Sequence, residues 1–337
     1  MERQTKRRRK TLNSSLQQQI IASSIQTRSK TRSLVIDFYF PDECWEFVFK
    51  FLINYGNSDG NNRLYLRCLS FVSKQFLSIT NRLRFSLNIS NSTRPLLPRL
   101  FQRFTNLTSL NLTHFRGDLD ALLAEISCFP LNLTSLDLSQ KPTIPANGLR
   151  AFSQNITTLT SLTCSFTKSI NYSDLFLMVD CFPNLQMLDL RYSYDVSEEA
   201  VVHVLRTCCN IRHLNLTRCS RVKLRTLNFK VLKLEVLNLS FTRVDDEALN
   251  VISKSCSGLL QLLLFYCSDV TDKGVNHVVE NCTQLREIDL GGCDKVHANV
   301  VASMVHSRTS LRKIGAPPGF DLSDTEKLFL HHGCYVS

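Results

Sequence analysis

"CSDVTDKGVNHVVENCTQLREIDLGGC" (Cys267–Cys293) holds two hydrophobic periods in one short stretch. Val275, Val278 and Val279 stand at i, i+3 and i+4, the spacing of one face of a helix. Thr271 and Asp272 open that part as a helix N-cap and a first-turn acid do. Leu285, Ile288 and Leu290 then stand at an anchor, +3 and +5, with Asp289 between the last two, the alternation of a short strand.

Outward from this stretch the strand part recurs along the chain as "LTSLNL", "LTSLDL", "LTSLTC", "LQMLDL", "IRHLNL", "LEVLNL", "LLQLLL", "LREIDL" and "LRKIGA". Their anchors are Leu107, Leu133, Leu159, Leu185, Ile211, Leu234, Leu259, Leu285 and Leu311, a spacing of 26 residues broken only by gaps of 23 and 25. That period lies in the range of leucine-rich repeats. "SEEAVVHVLRTC" and "DDEALNVISKSC" repeat the helical part, with Ser197 as a further N-terminal signal and Val201, Val204 and Leu205 on one face. Strand then helix, always in one direction, predicts an α/β solenoid: a parallel inner sheet with outer helices, curving into a horseshoe. No single unit can bury its apolar face alone, so the array stands or falls together. "RLRFSLNIS" (82–90) predicts an entry strand, the repeat domain runs over 81–316, and 317–337 forms a C-terminal cap. The stretch "SRVKLRTLNFKVLK" (220–233) is short and strand-like at Leu224, Leu227 and Phe229, which leaves it open between helix and extended chain.

Composition narrows the chemistry. The 13 cysteines are an odd number spread along 337 residues, poor material for disulfides and good material for reduced buried thiols. Cys208 and Cys219, Cys256 and Cys267, and Cys282 and Cys293 are each eleven apart, three before and eight after an anchor, so they read as small core residues of the repeat and not as zinc ligands. No phosphate-cradling G-x-x-x-x-G-K-[ST], nucleophile-elbow G-x-S-x-G or H-E-x-x-H string is present, and a non-catalytic protein without cofactor or metal is expected. Of the net charge of +11, residues 1–32 carry +8 and the other 305 residues only +3, which argues against a nucleic-acid groove on the folded body. The polar tail 1–35 is expected to be disordered, and its "KRRRK" fits either a nuclear localisation signal or a solvated basic run. With no apolar run long enough to span a bilayer and no signal-peptide core, the expected place is the nucleus and/or the cytoplasm, away from membranes.

Before the repeats, "FPDECWEFVFKFL" (Phe40–Leu52) has an unusual apolar density. On a helical wheel Cys44, Trp45, Phe47, Val48, Phe49, Phe51 and Leu52 spread over an arc of about 200°. A helix packed on one core shows a narrower stripe, so two apolar partners are expected. Pro41 and the acids after it suit a helix start. Leu69, Val72, Phe76 and Ile79 share a helical face downstream, and "INYGNSDGNNR" reads as an exposed turn-rich loop.

"FPDECWEFVFKFL" followed by "LRCLSFVSKQFLSI" resembles an F-box, with Phe40, Pro41, Glu43, Val48, Phe49, Leu52, Leu69, Val72, Lys74 and Phe76 at the matching positions. The departures are Phe40 for leucine, Val48 for isoleucine, Ser73 for cysteine and a longer linking loop. The repeats resemble the cysteine-containing leucine-rich repeats that follow F-boxes, and the order of the two is most like plant members. This resemblance implies a helical F-box over 36–80 that docks on the Skp-family adaptor of a cullin-based (SCF) ubiquitin ligase while the repeats hold a target protein. The residues it implies for adaptor contact are Phe40, Pro41, Val48, Phe49 and Leu52, with Trp45 open between interface and core.

For the target, the solvent-facing columns of the sheet are legible. At +6 and +7 the early repeats show Thr113, Ser139 and Ser165, whereas later ones give Arg191, Tyr192, Arg218, Phe241, Phe265 and Tyr266. With His213 and Leu263 these form the expected target surface, since aromatic and arginine side chains are common interface anchors. Two other classes fit the same sequence: a binding or inhibitory scaffold acting without ubiquitin, and a small-molecule sensor within the horseshoe.

Overall fold

The computed structural model describes residues 40–55, 59–321, 323 and 331–337. The tail with its "KRRRK" run, and part of the C-terminal cap, lie outside the described residues. The chain divides into two compact units with the boundary after Leu83.

Among the described residues the first unit holds three helices, α1 (Asp42–Tyr55), α2 (Asp59–Ser70) and α3 (Lys74–Arg82). α1 and α2 are separated by residues 56–58 only, so the loop expected over 53–63 is largely helical at both ends. α2 and α3 are separate helices because Ser73 adopts an extended backbone and its hydroxyl accepts the Phe76 N–H at 3.1 Å, an N-cap. That break moves Val72 off the face it was expected to share with Leu69, Phe76 and Ile79; Val72 is 65% exposed.

The second unit is one 11-stranded parallel sheet whose strands follow chain order. They are β1 (Ser86–Asn88), β2 (Ser109–Asn111), β3 (Ser135–Asp137), β4 (Ser161–Thr163), β5 (Met187–Asp189), β6 (His213–Asn215), β7 (Val236–Asn238), β8 (Gln261–Leu263), β9 (Glu287–Asp289), β10 (Lys313–Gly315) and β11 (Tyr335–Val336). Between them lie α4 (Leu97–Arg103), α5 (Leu119–Ser127), α6 (Ala146–Asn155), α7 (Tyr172–Cys181), α8 (Glu198–Thr207), α9 (Asp246–Ser255), α10 (Asp272–Asn281) and α11 (Val300–Ser307). This is a leucine-rich-repeat solenoid. Register follows the anchors: Leu110, Leu136, Leu162, Leu188, Leu214, Leu237, Leu262, Ile288 and Ile314 pair in one row, all buried. The entry strand at 86–88 forms as read, and the cap supplies β11 on β10.

Five of the helix starts in the repeat unit are capped by the polar residue before them. Ser197 accepts the Ala200 N–H, Thr271 the Lys273 N–H, and Asn171 with Asp174 makes a reciprocal capping box on α7. In the short repeat the chain between β6 and β7 contains no helix. Leu224, Leu227 and Val231 fill the space a helix would occupy, all buried. Glu198, at the start of α8, accepts N–H bonds from Lys223 at 3.1 Å and Thr226 at 2.8 Å, which gives that irregular, turn-rich chain backbone partners. Burial alone would raise the Glu198 carboxyl, but these bonds and the Thr226 hydroxyl outweigh it and hold it below the usual range.

The repeated cysteines are core residues. Cys208, Cys256 and Cys282 stand at helix C-caps, and Cys219, Cys267 and Cys293 send their thiols to carbonyls of the preceding repeat, those of Leu190, Leu239 and Leu264, at 3.1–3.2 Å. All six are buried, and burial pushes their thiols up to about 11 or 12. Thiols held in that form are poor nucleophiles and metal ligands. Among the described residues no cluster of three or more His, Cys, Asp or Glu is placed to hold a metal ion.

Candidate functional site

Two surfaces stand out, one on each unit. On α1 the apolar arc divides. Trp45, Phe49 and Ile53, spaced by four, turn inward and pack with Leu66, Leu69, Phe76, Ile79 and Leu83. The rings of Trp45 and Phe49 meet the Phe76 ring edge-on at 4.8 and 4.9 Å. Polar clasps hold α1 on α3: Arg82 bonds Asp42 at 2.9 Å and Glu46 at 2.7 Å, and Gln75 reaches Asp42 and the Phe40 carbonyl. Hydrogen bonds from Gln75 and Arg82 hold the Asp42 carboxyl below its ordinary range.

Phe49 therefore cannot be a contact residue in this conformation. It is 1% exposed, the centre of the unit's own core, because it lies toward the edge of the arc that faces α3. Trp45 is half-buried on the same side, with its ring 5.3 Å from that of Phe40. The outward side carries Phe47 and Phe51, 74% and 60% exposed, beside Val48 and Leu52. Phe40 and Pro41 are exposed as well. Phe47 and Phe51 belong to the same wheel arc but match no position of the family pattern, and only the division of the arc marks them out. Phe71 and Val72, in the α2–α3 turn, are also strongly exposed. Contiguous apolar exposure of this kind is a mark of interaction surfaces.

On the sheet unit the geometry begins in the turn after each strand. From the Leu185 repeat to the Leu285 repeat the N–H of position +8 closes on the +5 carbonyl of its own repeat, for example Cys219 on Leu216 at 2.9 Å and Thr242 on Leu239 at 3.1 Å. The +6 N–H bonds the Asp or Asn at +4, as Arg191 does Asp189 at 3.0 Å and Ser240 does Asn238 at 3.0 Å. The +7 N–H reaches the next repeat: Tyr192 to Thr217, Arg218 to Ser240 and Phe241 to Phe265, all at 2.8–2.9 Å. These bonds hold +7 in the left-handed region, with φ of 56° to 62° at Gln140, Phe166, Tyr192, Arg218, Phe241 and Tyr266. Glycine or asparagine is usual at such a place in a turn, and a bulky residue costs about 1 kcal/mol.

Five of those six residues form a continuous stack. Phe166 lies flat on Tyr192 at 4.2 Å, the Arg218 guanidinium sits 5.2 Å from the Tyr192 ring and 4.4 Å from the Phe241 ring, and Phe241 is parallel to Tyr266 at 5.1 Å. Phe265 meets both Phe241 and Tyr266 edge-on. Each contact is worth roughly 0.5–1.5 kcal/mol, enough to offset the backbone cost. The stack ends on Gly291 and Gly292: a Cβ on Gly291 would stand 2.7 Å from the Phe265 ring, and one on Gly292 2.8 Å from the Tyr266 ring.

The structure thus brings Tyr192, Arg218, Phe241, Phe265 and Tyr266 together and adds Phe166, which shares their +7 register in the sequence. Arg191 is exposed and pairs with buried Asp189 at 2.6 Å. His213 is exposed on β6, and Leu263 is half-buried on β8 at a +4 position where it offers no acceptor to its turn.

No protein-family model matches the chain. Among solved structures, the chain is similar to that of the yeast Rad7–Elc1 complex, at TM-score 0.55 and 17% identity over 95% of this chain and 97% of that one. It also aligns with an internalin of Listeria monocytogenes, at TM-score 0.47 and 15% identity over 78% of this chain and 76% of that one. At these identities the first likeness shows the fold alone.

Proposed function

We propose that this chain is the substrate-recognition subunit of an SCF-type ubiquitin ligase: the N-terminal helical unit is an F-box that docks a Skp-family adaptor, and the repeats bind the target protein. The observation that carries the reading is the outward side of α1. Phe47, Val48, Phe51 and Leu52 remain exposed although Trp45, Phe49 and Ile53 already supply the unit with a core, so the helix has more apolar surface than its own unit buries. A repeat array with an organised aromatic surface in the same chain as such a unit suits a receptor that works by proximity. It would raise the effective concentration of target lysines near a ubiquitin-charged enzyme and perform no covalent step itself. Rad7, a fold neighbour over nearly its whole length, is known in complex with a second chain, Elc1, which is consistent with a solenoid of this type serving inside an assembly.

The test is co-purification with a Skp-family adaptor, repeated with Val48→Asp and Leu52→Asp. Binding by the wild type and loss in the double variant is the expected result. If the wild type fails to bind, the ligase reading loses its main support, and if both versions bind equally, the proposed surface is wrong. The site of action is proposed as nucleus and/or cytoplasm, checked by imaging the chain with and without residues 1–35.

A further inference from the structure

Arg218 is the one charged member of the stacked column, and its surroundings define what it can hold. Its guanidinium is clamped between the rings of Tyr192 and Phe241, which fixes the plane of its head. Its Nε is buried without an acceptor, and among the described residues no carboxylate pairs with it. The two terminal nitrogens have no hydrogen-bond partner among the described residues, so donors are left over.

The acids in the neighbouring turns are already committed. Asp189 is held by Arg191, Asp195 by Arg221, Asp245 by Arg225 and Lys223, and Asp269 by Lys295. Lys168 and Arg243, each at +9 of its own repeat, are exposed and unpaired among the described residues. They lie about two strand spacings before and one after Arg218, roughly 10 and 5 Å along the sheet. Along the edge of the aromatic column Lys168, Arg218 and Arg243 thus have no ion-pair partner among the described residues, with Arg218 as the planar donor at their centre.

We propose that Arg218 is the specificity residue of the target surface, receiving a carboxylate from an acidic segment of the partner protein while the rims of Tyr192 and Phe241 take the apolar residues beside it. This rests on the reading of the repeats as the target-binding part but not on the identity of the adaptor. A planar fork pre-set by stacking forms two parallel hydrogen bonds to a carboxylate with little further ordering, which a flexible lysine cannot do.

The test is selection of displayed random 12-residue peptides on the full chain, followed by affinity measurements on the selected peptides. Peptides enriched in Asp or Glu beside an apolar residue are expected, with binding that weakens as salt rises. Arg218→Gln should weaken them about ten- to a hundredfold and Arg218→Lys by less. Arg218→Glu should shift the selection toward Lys and Arg. Lys168→Gln and Arg243→Gln, exposed and far from the core, should each weaken acidic peptides a few-fold and so report on charge even if the stack is disturbed. Neutral or basic selections, selected peptides indifferent to Arg218, or no selection at all would overturn the proposal. So would peptides that bind only when phosphoserine replaces their carboxylates. Adaptor co-purification reads out separately, so loss of the ligase reading and loss of this one are distinguishable.

Discussion

The repeats anchored at Leu107 and Leu133 and those anchored from Leu185 to Leu259 share the central buried row of the sheet and differ in the turn that follows it and in the cysteines around it. Leu110 and Leu136 in the first group, and Leu188, Leu214, Leu237 and Leu262 in the second, are all at most 1% exposed in the same register row. Yet the left-handed +7 place holds Gln140 in one group and Tyr192, Arg218, Phe241 and Tyr266 in the other. The turn does not require a large ring; Gly292 makes the same turn one repeat later. Bulk at a position that favours glycine is offset within the fold by the stack, and the surface it builds is the one proposed above for recognition.

That comparison can be broken in several ways, the largest effect first. Leu136→Ala and Leu214→Ala each delete a fully buried side chain and should cost about 2–5 kcal/mol by denaturant unfolding. Similar losses in both groups are expected, and a much smaller loss in either would mean that the buried columns are not equivalent.

Alkaline pH should separate the groups. The thiols of Cys208, Cys219, Cys256, Cys267, Cys282 and Cys293, raised to about 11 or 12 in the folded chain, ionise near 9 when unfolded. Above pH 9 the folded state then binds more protons than the unfolded one, so stability is full below that pH and falls as pH rises toward 11–12. Each thiol contributes up to about 1.4 kcal/mol per pH unit. Hydrogen exchange should show the later repeats, which hold these thiols, loosening first.

Smaller effects test the stack. Gly292→Val places a branched side chain at φ 69° against the Tyr266 ring and should cost about 1–3 kcal/mol. Gln140→Gly relieves a left-handed residue with no ring to lose and should stabilise by up to about 1 kcal/mol. Tyr192→Gly removes the same strain together with two stacking partners, so its net change should be near zero or destabilising. Equal gains from the two substitutions would show that the stack contributes nothing.

Much of this was legible in the chain. The anchors fix the strands and their register because inward positions recur at constant spacing, and Ser197 and Thr271 mark helix starts through their own hydrogen bonds. The column of Tyr192, Arg218, Phe241 and Tyr266 was legible for the same reason, and Phe166 is its missed first member, hidden because the smaller Ser165 beside it set the early repeats apart as polar. The left-handed backbone was not legible, since nothing but glycine announces it in sequence. Phe49 misled because a wheel shows that an arc is too wide without showing where α3 divides it. The helix-free stretch 220–233 depends on what Glu198 offers it from the preceding repeat, a contact that local pattern cannot contain.

The most direct test of a receptor with two separate surfaces is a crossed measurement on the full chain, with adaptor co-purification and affinity for a selected acidic peptide read side by side. Phe47→Glu with Phe51→Glu should abolish adaptor binding and leave peptide affinity unchanged, while Arg218→Gln should do the reverse. If both variants lose both partners while remaining folded, or if neither loses its own, the assignment of adaptor to α1 and target to the stacked column is contradicted.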